Sequence, residues 1–128
     1  MISGDASEFY ALARDFGVAD KAALPTARPA IQAGAELTKQ AWQSNARATS
    51  GTHGRHYPNS ITYDTRILAG SVIGEVGPDS SRPQGGMGRG FEFGSENQPP
   101  HLDGLRAMDT TAPAVEKLLG EAIEGLLP

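Results

Sequence analysis

The chain has no cysteine among its 128 residues, which removes disulfides and thiolate zinc sites as sources of stability. Large apolar side chains are also scarce. Leu, Ile, Val and Phe together fill 24 positions, or 19% of the chain, just under the roughly 20% below which a sequence struggles to bury enough surface. No stretch approaches the ~20 apolar residues that cross a bilayer, and Met1-Ile2-Ser3-Gly4-Asp5 lacks the basic-then-apolar order of a secretion signal. A soluble setting comparable to cytosol is therefore expected, with no membrane partner. A strong net charge is missing too: −4 overall with a pI near 5.3. That disfavours wholesale disorder, and it also disfavours a general nucleic-acid binder, for which a pI above about 9 is usual. Three histidines leave no ligand set for a structural metal.

What is present is small. Alanine and glycine account for 18 and 16 residues, so the expected core is thin, and a thin core of this kind is often completed by partner subunits. The charge is unevenly placed. Residues 1–46 are nearly balanced. Residues 47–89 carry Arg47, Arg55, Arg66, Arg82 and Arg89 against Asp64, Glu75 and Asp79, while residues 90–128 carry Arg106 and Lys117 against seven carboxylates. A basic middle and an acidic end suit head-to-tail contact between copies; a solvated mixed surface is the plainer alternative.

The pattern predicts an α+β domain over residues 1–128: N-terminal helices, a small antiparallel sheet of a hairpin plus a short strand with long loops, and a C-terminal helix packed on the sheet. Residues 5–16 read as a short amphipathic helix with Phe9, Leu12 and Phe16 on one stripe. Pro25 and Pro29 place the start of the long helix near Thr26, and it should run to about Ala46 with Ile31, Ala35, Thr38 and Trp42 on its buried side. Thr49–Asn59 reads as a loop. Ser60–Leu68 and Ser71–Gly77 read as strands joined by a tight turn at Ala69-Gly70. Residues 78–90, rich in Gly and Pro, read as a mobile loop, and Phe91-Glu92-Phe93 as a short strand with Glu92 exposed or paired with an arginine. A helix from about Leu102 to Leu127 is expected to break or restart near Pro113, where Thr110 or Thr111 would cap it.

The motifs argue against several chemistries. The cluster Gly85-Gly86-Met87-Gly88-Arg89-Gly90 misses the G-x-G-x-x-G spacing, has no following G-K-[ST], and leads to no expected helix that could hold phosphate. His53 and His56 are spaced for a metal, but no third ligand is signalled and Arg55 lies between them. They also lack an identifiable nucleophile or orienting carboxylate, so the chain is expected not to be an enzyme and to use no cofactor.

Taken together, the helical first half, the Thr49-Ser50-Gly51 turn, Arg55-His56-Tyr57-Pro58-Asn59-Ser60-Ile61, Phe91-Glu92-Phe93-Gly94-Ser95, the Pro99-Pro100 pair and the Ala/Leu/Glu-rich last helix resemble the tail-completion or neck proteins of long-tailed bacteriophages, in versions from phages of actinobacteria. The link from Ser50 to Asn59 is longer and more basic than the Thr-Gly-x-Leu link common in that family, and the 78–90 loop is also long. The resemblance implies a structural virion protein at the head–tail junction, present in the host cytoplasm during assembly. It would form a ring, expected to be a hexamer, that caps the tail tube as a tail terminator and joins it to the head connector or stopper. Its partners would be its own copies, the tail tube protein, the connector, and DNA passing through the lumen without sequence-specific binding. Arg47, Arg55, His56, Tyr57, Arg82, Arg89 and Glu92 would then face neighbouring subunits or the lumen. The alternative is a small nucleic-acid-binding module using the basic 47–89 segment, a reading weakened by the acidic last third and by the lack of stacking aromatics beside the arginines.

Overall fold

A computed structural model describes residues 23–68 and 71–125; the expected helix at 5–16, the Ala69-Gly70 turn and the helix end at 126–127 lie outside them. The fold is α+β, built from a long helix α1 (Ala23–Thr49), a hairpin of β1 (Ile61–Leu68) and β2 (Ser71–Pro78), a short helix α2 (Gly88–Phe93) and a last helix α3 (Asp103–Glu124). Short 3-10 turns precede β1 and α2.

The residues predicted for the buried stripe of α1 are the ones it buries: Ile31, Ala35, Thr38 and Trp42, with Ala27 and Ala46 extending the row. The helix is three residues longer at each end than the prolines and the composition suggest. Pro29 lies inside it and is exposed, and the buried Ala27 and Ile31 on either side hold the helix through the missing bond. At the other end the Ser50 N–H bonds Ala46 O at 2.8 Å, and Gly51 takes a left-handed φ of 63°, a conformation that ends helices at little cost to glycine.

The hairpin is antiparallel, with Ile61 opposite Pro78 and Leu68 opposite Ser71. Two residues therefore separate the paired ends, as the tight turn requires. The side chains of Ile61, Val72 and Val76 are buried, on the face laid against α1.

α3 runs antiparallel to α1 and uses it as its main bed. Asn45 Nδ2 donates to Asp103 O at 3.0 Å, the Thr38 and Thr111 hydroxyls meet at 3.0 Å, and Val115 packs into the space left by Gly34. The helix also reaches the sheet through the shared core. Ala107 and the half-buried Met108 join a cluster with Trp42, Tyr57, Ile61, Val76 and Phe91, and Leu119 packs against Ala27, Ile31 and Val72. Aromatic rings supply much of the buried area that the scarce aliphatics cannot.

Three expectations are corrected. Pro113 does not interrupt α3, which is continuous. Pro113 and Asp109, whose carbonyl loses its donor, are both exposed, and the packing of Ala107 and Val115 on either side holds the helix through the gap. Thr110 and Thr111 are accordingly mid-helix residues, with hydroxyls bonding back to Arg106 O and Ala107 O. The 78–90 segment is a folded chain of turns, with Arg82 N–H on Asp79 O, Gly85 N–H on Arg82 O and Met87 N–H on Gln84 O. Phe91-Glu92-Phe93 belongs to α2 and is helical, so the sheet has two strands among the described residues.

Candidate functional site: a basic end and an acidic end

The segments from 50 to 60 and from 79 to 102 gather at the end of the molecule where α1 finishes. Gln84 stitches them. Its backbone is left-handed, with φ 62°; its Nε2 donates to His53 O at 2.6 Å, and its Oε1 accepts the His56 N–H at 2.7 Å. Arg82 Nη1 donates to Asn59 O at 3.2 Å, and Arg82 Nε stands 3.9 Å from Asp79 Oδ2. The Asp79 carboxylate is held by the hydroxyl and N–H of Ser81, at 2.7 and 2.9 Å, and these bonds keep its pKa below the ordinary value. Arg55 Nε donates to His56 Nε2 at 3.2 Å.

The structure thus brings His53, Arg55, His56, Arg82 and Arg89 to one exposed platform, with Arg47 exposed on the last turn of α1 nearby. Glu96, in the turn closed by the Ser95–Gln98 bridge, is the exposed carboxylate among these segments. Five of the seven residues anticipated at a partner surface are therefore on the surface.

Tyr57 and Glu92 are inside. Tyr57 stacks on Phe91 with ring centroids 4.5 Å apart and is fully buried; burial, then the Glu92 charge, pushes its phenol pKa up. Glu92 is 2% exposed. The reason is local to α3, whose N-cap position is Leu102 in a left-handed conformation with no side-chain cap. Glu92 supplies the missing acceptor from α2, taking the Gly104 N–H at 2.6 Å with the Leu105 N–H beside it. Its pKa rises to about 7, chiefly because burial penalises the charged form. Asp103 is the second buried carboxylate of this junction, accepting the Thr49 hydroxyl at 2.9 and 2.8 Å and Arg106 Nη2 at 2.8 Å. Sequence reasoning passed over Asp103. Its signal was its position at the start of a helical pattern, two residues after the Pro99-Pro100-His101 run ends.

The opposite end carries the opposite charge. Beyond Pro113 and just before it, α3 exposes Asp109, Glu116, Glu121 and Glu124 against Lys117. Because α3 is antiparallel to α1, this stretch lies away from the basic platform: the 18 residue steps from Asp103 to Glu121 rise about 27 Å along the axis. Among the described residues, exposed charge is basic where the loops gather and acidic along the second half of α3, with the exposed Arg28 of α1 near that second half.

The chain matches no protein-family model, no curated protein and no solved structure. Among the described residues no helix is long and apolar enough to cross a membrane.

Proposed function

We propose that this protein is a structural assembly subunit, of the ring-forming kind that completes a bacteriophage tail at the head–tail junction and joins it to the head connector. The observation that supports this reading is the separation of exposed charge along one small body, basic where the loops gather and acidic along the second half of α3. Opposite ends of this kind attract in sequence around a ring, each copy giving one end and receiving the other. The thin, alanine-rich core agrees with a chain that gains further burial from its neighbours, and the sequence resemblance supplies the setting in the virion.

Native mass spectrometry and negative-stain electron microscopy of the purified protein, alone and with a tail tube protein, test the reading. A ring that seats on the tube supports it. A strict monomer that ignores the tube refutes it; ring formation and tail joining left intact after Arg47, Arg55, Arg82 and Arg89 are all replaced by Ala would refute the contacts assigned to those arginines and leave the ring. The exposed arginines also favour a second reading, contact with nucleic-acid phosphates. Filter binding at low and moderate salt separates the two, since phosphate contacts weaken steeply with salt whatever the oligomeric state.

A further inference from the structure

The face of α1 opposite its buried stripe carries a groove of about 590 Å³. Pro29, Ala33 and Leu37 recur every four residues and so stand in one row, and Leu118 of α3 borders them. Pro29 and Ala33 are exposed, and Leu37 keeps 38% of its surface in water. Gln32, Glu36 and Gln40 form a polar rim. Glu36 is the one charge among these described lining residues, and it already holds Lys39 and Gln40, each at 3.5 Å.

The chain carries a second apolar stripe near its start. Phe9, Leu12 and Phe16, with Ala13 among them, recur at helical spacing within residues 5–16, which lie outside the described residues. In a sequence so short of large apolar side chains, three on one stripe imply a bed for it, because a helix of this length is marginal alone in water.

We propose that residues 5–16 fold back as a helix antiparallel to α1 and seat in this groove, with Phe16 over Pro29, Leu12 over Ala33, and Phe9 over Leu37 and Leu118. Lengths select the occupant. Residues 5 to 16 and residues 29 to 40 are each eleven steps apart, so helix and groove both run about 16.5 Å. The spacing within them agrees: four residues separate Phe16 from Leu12, and four separate Pro29 from Ala33. The tether reaches. Pro29 lies six residues beyond the start of α1 at Ala23, a rise of about 9 Å. Residues 17–22 extend to about 20 Å, enough to climb that rise and step to a second helix axis about 8–10 Å away. So short a tether presents the segment to its own groove at a far higher effective concentration than to another copy's. Charge does not choose the site, since the segment carries Asp5, Glu8 and Asp15 against Arg14; burial of the apolar stripe does. The contact is internal to each subunit and independent of the assembly reading.

The absence of cysteine makes a paired substitution a clean reporter in the full-length protein. Ala13→Cys with Ala33→Cys is expected to form a disulfide within one chain on mild oxidation, giving a faster gel band that dithiothreitol reverses. Ala13→Cys with Thr52→Cys, the latter exposed beyond the far end of α1, is the control and is expected to stay reduced. A bond that forms equally in the control, or only between chains, overturns the proposal. Hydrogen exchange read by mass spectrometry gives the second test. Amides of residues 9–16 are expected to exchange at least about tenfold more slowly than an unstructured chain. Leu37→Asp, at an exposed position, is expected to return them to the unstructured rate while the α1 amides around Trp42 keep theirs. Leu12→Asp asks the same question from the segment's side, leaving α1 unaltered. Unstructured rates in the wild type overturn the proposal, as does protection that both variants leave in place.

Discussion

Glu92 concentrates the residue-scale physics of this protein. Its carboxylate replaces the N-cap that Leu102 cannot provide, yet it does so from a buried position that favours the protonated acid, with a pKa raised to about 7. A carboxyl whose folded pKa lies above its unfolded value adds stability at pH below the unfolded pKa and loses it as pH rises through the folded one. Between about pH 4.5 and 7 the Glu92 contribution therefore declines, by an amount on the order of 2 kcal/mol. Glu92→Gln keeps an oxygen for the Gly104 N–H and has no charge to bury. Urea denaturation is expected to show the variant more stable than wild type at pH 8, with the difference shrinking at pH 5. Close approach sets a second residue-scale expectation. A side chain at Gly104 would stand 2.6 to 2.8 Å from the Trp42 ring, and one at Gly85 would run into the Asp79 carbonyl. Gly104→Ala is expected to cost roughly 1–3 kcal/mol despite its better helix propensity, because the fully buried ring has no room to retreat. Its denaturation midpoint checks this.

At the scale of elements, period and spacing carried the sequence reading where a segment is long and its partner near. The stripe of α1 and the register of the hairpin were legible because each repeats over many residues. Phe91-Glu92-Phe93 was not legible. Three residues alternate equally well as a strand or as one turn of helix, and what decides is the α3 N-terminus, twelve residues away at Gly104. The 78–90 segment misled for a related reason: Gly and Pro make a mobile chain and a series of tight turns look the same in composition, and only the stitch of Gln84 to His53 and His56 distinguishes them. Pro113 shows packing overriding local propensity. Pro113→Ala returns a donor to the exposed side of α3 and is expected to raise the thermal midpoint, with a gain of about 1–3 kcal/mol. A variant no more stable than wild type would mean that the break is already relieved in solution.

At the scale of the whole molecule, the scarcity of large apolar residues is met in two ways. Within the chain, Trp42, Tyr57 and Phe91 fill a core otherwise lined by alanine; outside it, Met87, Phe93 and Ile123 are left on the surface. The exposed arginines were legible as a basic stretch of sequence, but their gathering near the end of α1 depends on loops folding back on each other, and the separation of the acidic half of α3 from them depends on α3 lying antiparallel to α1. If copies assemble through opposite charge as proposed, the assembled fraction falls as ionic strength rises from about 0.05 to about 0.5 M, where the Debye length shrinks to a few ångströms. Analytical ultracentrifugation across that range checks it; assembly that strengthens with salt would overturn the charge-driven reading.

The only tryptophan of the chain is fully buried in α1 with its ring against Gly104 of α3. Its emission is therefore a built-in optical gauge of whether the two long helices are together. The ring is buried inside the fold, away from any surface where a partner could touch it. Light from Trp42 should consequently redden only when α3 lifts from α1 and stay constant through an association of the proposed kind, so that unfolding can be followed by itself in one cuvette without attaching a dye.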